Sequence, residues 1–458
     1  MQISIEESRK YIYMLIGYML FAVLTHVLKN GLILLFFEAL LAIYAIYKRN
    51  ETTLVIFIFL TILQNFTLIL LSSDISGLDT RIFIIIKELI VYICGLLGLV
   101  ECLYKRKLGF NETFLCLLFI ADAILSFFVS SAPISARIAS IRQFSIPFFA
   151  FYFGISLKKS NNLNLINSNL LLGGIIVCVS GLLIYLSGDD FWNKIGYQTF
   201  IANKTGIQQY ADMINFYTFD FGNRIKRFVS IFGDPLACAH FLMISCLVLF
   251  YTYPHKLTFI KILMVICMCL CLSKAHIIFI ISIILVKLFE RTKNLETKYI
   301  YIFVIVALIF VAFVVLYFYS KDLKANTSIG NHFNSFLSGL KNISLIGNGI
   351  GTSGYNAVLT GYVDNVSGTS ESLMATIIYQ MGLVGVIIFY GFIITASRSC
   401  LKQLHKLHNQ NFIIVLILNL TFIIESFVAT SSLSMLGTAL FFILMGYYLN
   451  TYKSIIYK

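Results

Sequence analysis

The stretch that decides how this chain is organised begins Gly330-Asn-His-Phe-Asn-Ser-Phe336, continues through Gly347-Asn-Gly-Ile-Gly351 and Glu371-Ser372, and ends Tyr379-Gln-Met-Gly-Leu-Val-Gly385. It is a polar insert rich in Gly, Ser and Asn, set into an otherwise almost continuous series of apolar runs. At roughly fifty residues it is far longer than an ordinary connection, which marks it as functional or disordered. Phe333, Phe336, Leu337, Leu340, Ile343, Leu345 and Ile346 recur inside it at helical spacing. That periodicity argues against disorder and predicts a loop that folds back onto the apolar part of the chain.

Outward from the insert, the apolar runs are each about 17–22 residues long, enough to cross about 30 Å of hydrocarbon as helices. The chain of 458 residues is 59% hydrophobic and 12% charged, with mean hydropathy +0.89 and four prolines. Short alternating segments, the mark of a transmembrane β-barrel, are missing. The expectation is an all-α, polytopic transmembrane helical bundle of about twelve to fourteen spans with two large periplasmic loops. The runs lie near 11–28, 31–47, 53–71, 82–104, 112–130, 141–157, 168–186, 235–253, 257–272, 275–289, 299–319, 373–397, 411–427 and 432–450. The two short runs within 257–289 also fit a re-entrant pair. The divisions are therefore 1–186 and 235–319 (spans), 187–234 and 320–372 (loops), and 373–458 (spans). No small-residue cleavage site follows the first run, so it is expected to stay as a helix.

Placing both termini in the cytoplasm puts 20 of the 34 basic residues and seven of the 21 acids in the inner loops, which accounts for the whole net charge of +13. The positive-inside rule thus explains the basicity, and a nucleic-acid partner is excluded. All ten cysteines fall in spans or on the inner side, so no disulfide framework is implied. Cys267, Cys269 and Cys271 alternate at i, i+2, which on a helix points them to nearly opposite faces and suits packing better than metal ligation.

The outer side gathers the chemistry. Loop 187–234 holds Trp192, Tyr197, Tyr210, Phe216, Tyr217, Phe219 and Phe221, suited to sugar faces or to the membrane interface. It ends in Asn223-Arg-Ile-Lys-Arg-Phe-Val-Ser-Ile-Phe-Gly-Asp-Pro235. Basic residues are disfavoured outside, so Arg224, Lys226 and Arg227 at a membrane boundary suit a phosphate group, with snorkelling anchors as the alternative. Arg137, Arg142, Lys274 and, more weakly, Arg81 add cations at a similar level. Lys87, Glu88 and Glu425 lie in spans toward the same side, with Glu38 and Asp122 deeper. His332 suits a general base or a plain hydrogen-bonded loop residue. Glu371 suits a base or a helix cap. Gly347, Gly349 and Gly351 suit a tight turn or close approach to phosphate. Asp-x-Asp, the commonest carboxylate metal motif of glycosyl transfer, does not occur.

Taken together, the layout resembles the O-antigen polymerase and O-antigen ligase superfamily of bacterial envelopes. The resemblance is carried by Arg227-Phe-Val-Ser-Ile-Phe-Gly-Asp-Pro235, Leu272-Ser-Lys-Ala275, Gly330 to Ser335, Ile346 to Gly351, and Glu371-Ser372 leading to Gly382-Leu-Val-Gly385. The family often has Asn where this chain has Asp234, and Arg where it has Lys274; the second change keeps charge and loses the bidentate fork. The resemblance implies a glycosyltransferase of the bacterial inner membrane with its active site facing the periplasm. The donor would be an undecaprenyl-pyrophosphate-linked oligosaccharide and the acceptor a second lipid-linked repeat unit, giving O-antigen or capsule. Membrane lipid and a chain-length regulator protein are the implied partners. Arg142, Arg224 and Arg227, supported by Lys274, would hold pyrophosphate; His332 would be the base, with Glu371 its competitor. No cofactor or metal is expected. A ligase acting on lipid A–core and a lipid-linked oligosaccharide flippase are the other readings. The flippase is disfavoured, since the chain has no internal repeat and its loops are large.

Overall fold

The computed structural model of the chain describes residues 5–75, 77–105, 110–158, 163–188, 190–205, 216–218, 225–253, 256–291, 328–341, 343–360, 362, 372–406, 411–429 and 433–456. Helices account for almost all of it. The first seven are α1 (Ile5–Leu28), α2 (Leu32–Lys48), α3 (Glu51–Leu70), α4 (Gly77–Lys105), α5 (Phe110–Val129), α6 (Ile134–Ser156) and α7 (Leu163–Leu186). The first loop carries α8 (Asp190–Lys194), α9 (Tyr197–Thr205), and a two-residue ribbon of β1 (Tyr217–Thr218) and β2 (Ile225–Lys226). The ribbon is antiparallel, with Tyr217 opposite Lys226. Then follow α10 (Pro235–Thr252), α11 (Thr258–Leu270) and α12 (Lys274–Arg291). The second loop carries α13 (Ser328–Lys341) and α14 (Tyr355–Leu359), and α15 (Leu373–Lys406), α16 (Asn411–Val428) and α17 (Ala439–Ile456) close the chain.

Seven of these helices are long and apolar enough to cross a membrane. Every apolar run in the sequence coincides with a helix except 299–319, which lies outside the described residues. The chain is thus a helical protein of the multi-pass membrane type.

Close backbone contact builds the centre. Gly95 and Gly98 of α4 face the backbone of Phe149 and Tyr152 on α6, and any Cβ there would collide with their carbonyls. Gly154 of α6 meets Ile443 of α17, and Gly446 of α17 meets Phe151 in return. Small residues at such crossings bring helices together where lipid offers no hydrophobic drive for association. Phe148 stacks on Phe119 of α5 at 4.0 Å between centroids and on Phe392 of α15 at 4.3 Å, which ties those helices to the same centre.

The spans alternate in direction, so the turns gather at two ends. At one end Arg49 pairs with Glu101 at 2.7 Å, Tyr447 donates to Glu51 at 2.9 Å, and Asn450 donates to the Leu157 carbonyl at 2.9 Å. At the other, Ser72 donates to the Gly196 carbonyl at 2.9 Å and Ser130 to the Ile350 carbonyl at 2.6 Å. Both long loops therefore pack onto this second end, here called the loop end.

The second loop does fold back, in two ways. Helix α13 lies on α15 and α16: Gly339 packs against Ala375, Phe336 meets Phe427 at 5.7 Å, and Ser335 Oγ accepts from Ser372 N at 3.1 Å. The helix ends at Lys341, so Ile343, Leu345 and Ile346 do not continue it as their spacing suggested. They stand exposed in an irregular segment that does a different job.

That segment repairs a break in α15. Gly382 has φ 70 and ψ −166, which splits the helix. Beyond the break, Leu383 N and Val384 N donate to the carbonyls of Ser344 and Leu345 at 2.9 and 3.2 Å. Before it, the carbonyls of Tyr379 and Gln380 accept from Asn348 N and Gly349 N at 2.9 and 3.0 Å. Four backbone groups that a broken span would leave open are thus paired by the loop, as an apolar surrounding demands.

Candidate functional site

The first motif of the resemblance forms an elbow at the loop end. Arg227 N donates to the Phe216 carbonyl at 2.8 Å and Phe228 N to the Leu270 carbonyl at 2.8 Å. Ser230 Oγ donates to the Val177 carbonyl at 2.6 Å, and Asn65 holds the Phe232 carbonyl at 3.0 Å. Gly233, at φ 63, turns the chain, and Asp234 caps α10 by accepting from Leu236 N at 2.8 Å with Pro235 as the first helical residue. The elbow thus fixes Asp234 and the start of α10 at the loop end.

Around Asp234 the structure assembles charges from separate helices. Arg142 of α6 stands 3.4 Å from Glu88 of α4, and Arg142 is half exposed while Glu88 is buried. Lys87, the next residue on α4, is buried within electrostatic reach of Glu88, Glu38 and Lys204. Lys204, near the end of α9, reaches Asp234, Glu88 and Arg142. Its surface is accessible, yet the enclosing protein strips part of its water. That desolvation, with Arg142 acting the same way, holds the ammonium below the usual lysine range against Asp234 and Glu88. Tyr197 adds a phenol that donates to the Gly233 carbonyl at 3.3 Å. Burial first, then Asp234 and Tyr355, push that phenol up, so it stays neutral.

Three cations and three carboxylates therefore gather here, Glu38 facing Lys87, and Asp234 already spends an oxygen on its helix. Arg142 and Lys204 repel each other, so an anion between them would be favoured.

The remaining sequence candidates fall elsewhere. Arg227 Nε donates to the Cys271 carbonyl at 2.9 Å, and its charge faces His276 on α12. Lys226 donates to the Tyr185 carbonyl at 3.1 Å and lies over that ring at 5.2 Å, as an anchor does. Arg137 caps the end of α5 through the carbonyls of Ala132 and Phe127 at 2.5 and 3.1 Å. It is a structural cation. Lys274 opens α12 and His332 lies in the first turns of α13, but their side chains, like the whole of Arg224 and Glu371, lie outside the described residues.

Gly347, Gly349 and Gly351 approach backbone of this chain rather than a cradle. Cβ atoms there would meet Gln380 and Gly382, Ser130, and Arg137 respectively. Asp122 lies on the face of α5 turned to the α15 break, beside Gly385.

Two residues of the loop end were not singled out by sequence. Lys204 is one lysine in an aromatic loop, and only the packing of α9 beside α4 gives it meaning. His240 of α10 contacts both carboxylate oxygens of Glu425 on α16, and the two residues are 185 positions apart. No local pattern links them.

No protein-family model and no curated protein matches this chain.

Proposed function

We propose that the chain is a surface polysaccharide polymerase of the bacterial inner membrane. It would transfer an undecaprenyl-pyrophosphate-linked glycan onto a lipid-linked repeat-unit acceptor at the periplasmic face. The observation that carries this reading is the meeting of Arg142, Lys87 and Lys204 beside Asp234 and Glu88 at the end of the bundle where both long loops pack. A cationic recess at the head of apolar helices suits an anion tethered to a lipid.

In the reaction the acceptor hydroxyl oxygen attacks the anomeric carbon, the bond from that carbon to the pyrophosphate oxygen breaks, and undecaprenyl pyrophosphate leaves with the electron pair. The acceptor proton passes to a base. Arg142, with Lys204 and Lys87, would stabilise charge developing on the leaving group in a partly dehydrated recess. Arg227, on the elbow that also carries Asp234, would add a further cation, and the resemblance gives Arg224 and Lys274 the same role. His332 is the proposed base and Glu371 its competitor.

The test is surface-glycan laddering in the native organism after deletion and restoration of the gene. Lipid A–core bearing a single repeat unit, with no ladder, is the expected result. Loss of all attached glycan with polymer on the carrier would instead mean a ligase. Repeat units trapped on the cytoplasmic face would mean a flippase.

A further inference from the structure

Beside Arg142 the loop end holds a pocket of a different character. It lies between α6, α14 and the first half of α15, lined by Ser140, Gln143, Ser353, Asn356, Thr376 and Gln380, with Tyr355 beside them. No side chain in its lining is charged. Gln143 follows Arg142 on α6, and Tyr355 is within electrostatic reach of Tyr197, so the pocket and the cationic recess adjoin.

Most of its polar atoms are engaged. Asn356 Nδ2 donates to Gln143 Oε1 at 3.1 Å and to Ser140 Oγ at 3.4 Å. Gln380 Nε2 donates to the Ser353 carbonyl at 2.6 Å, and its Oε1 accepts from Gly351 N at 2.8 Å. Thr376 Oγ1 donates to the Ser372 carbonyl at 2.8 Å. What remains is specific. Ser353 is 1% exposed and its Oγ has no partner among the described residues. Asn356 Oδ1 accepts from none of the described residues, and the Ser140 hydroxyl accepts from Asn356 without donating to any of them. A buried hydroxyl left alone is costly, so this one calls for a partner.

The free groups are an acceptor and hydroxyl donors together. A partner that both donates and accepts satisfies them, as an alcohol does. A carboxylate or phosphate only accepts, and would set its lone pairs against Asn356 Oδ1 with no cation in the lining. The enclosed part is water-sized, so it takes one hydroxyl or hydroxymethyl group and leaves the rest of the ligand at the mouth. There Tyr355, 51% exposed, offers a ring to an apolar sugar face.

We infer that this pocket is a subsite for a sugar ring, recognised through one of its hydroxyl groups by Ser353 and Asn356 and stacked on Tyr355. The inference rests on the proposed function and deepens it: the glycan unit held next to the pyrophosphate enters the pocket by a neutral hydroxyl and not by a carboxylate.

The test uses the full chain in detergent and saturation-transfer NMR with methyl α-glucopyranoside, N-acetylglucosamine and glucuronate as probes. At least one neutral probe should receive saturation, and any saturation of glucuronate should be weakest at H5, beside its carboxylate. Ser353→Ala and Asn356→Ala should each weaken the neutral signal about 5- to 10-fold, the effect of one lost hydrogen bond. Tyr355→Leu should weaken it as well; Ser353→Ala and Tyr355→Leu should keep wild-type melting temperatures, and all three variants should still bind inorganic pyrophosphate. No saturation of either neutral probe, equal signals in wild type and variants, or saturation of glucuronate centred on H5 would overturn the subsite and leave a pocket that holds water only. Gene deletion separates the two ideas. An unchanged ladder with intact glycoside binding removes the polymerase reading and keeps a sugar site. A lost ladder that Ser353→Ala and Asn356→Ala both restore to normal length removes the subsite and keeps the polymerase.

Discussion

His240 Nε2 lies 3.0 and 2.9 Å from the two carboxylate oxygens of Glu425, and His240 Nδ1 lies 2.8 Å from the Leu236 carbonyl. Both ring nitrogens thus face acceptors. His240 and Glu425 form a hydrogen-bonded pair. It joins α10 to α16 with both side chains buried, 4% and 2% exposed.

Breaking this pair from one side should be worse than removing it whole. Glu425→Ala, or His240→Ala, is expected to cost about 3–5 kcal/mol, because each strands a buried polar partner. The double substitution His240→Phe with Glu425→Leu should cost clearly less than the sum of the singles. Denaturation of the detergent-solubilised protein measures the cycle, and strict additivity would show that the two residues act independently.

Two glycines of α15 should respond with opposite sign. Gly382 has a positive φ that only glycine adopts readily, and a Cβ would collide with the Leu345 carbonyl. Gly382→Ala is therefore expected to lose about 1–3 kcal/mol from backbone strain alone. Gly391 lies in regular helix, where a Cβ would meet only Leu115 at an ordinary 3.8 Å. Gly391→Ala should gain up to about 1 kcal/mol from helix propensity. Melting temperatures of the two variants decide it.

Arg142 and Arg137 lie on one helix and should separate function from support. Arg142→Ala is expected to abolish or sharply shorten the surface-glycan ladder, and Arg142→Lys to restore part of it. Arg137→Ala should lower the melting temperature through the two carbonyls it caps and leave the ladder's length distribution unchanged. A normal ladder from Arg142→Ala at wild-type protein level would remove it from the recess.

Lys204 gives the recess a pH limit. Its ammonium titrates below the usual lysine range through desolvation, so its charge disappears as pH rises through the depressed value. Binding of inorganic pyrophosphate should accordingly fall off at lower pH than an ordinary lysine would dictate. Lys204→Arg should carry binding to higher pH. Identical alkaline limbs for wild type and Lys204→Arg in a calorimetric titration would show that Lys204 takes no part.

Apolar runs foretold the helices, because span length and the cost of open backbone in lipid leave few solutions. Arg142 stood out in sequence as a cation at a span end, and the structure sets it beside Glu88 at the loop end. Arg137 looked equivalent in sequence, five residues earlier, and only three-dimensional packing shows that its guanidinium is spent on α5. The Gly347–Gly351 pattern read as a turn or a phosphate cradle, and its actual neighbour, the break at Gly382, lies more than thirty positions away. Lys204 and His240 stayed hidden for the same reason: their partners are remote in sequence.

The splint across α15 bears on how such a protein can diversify. Residues 344–349 complete the hydrogen bonding of a helix as well as belonging to a loop. Exchanging the whole second loop for that of another protein would strip a membrane helix of its missing rungs, so a graft there must bring its own matching break or fail to assemble. New substrate preference is easier to reach by single side-chain changes around the splint, at positions such as 353, 355 and 356, than by swapping the segment that carries them.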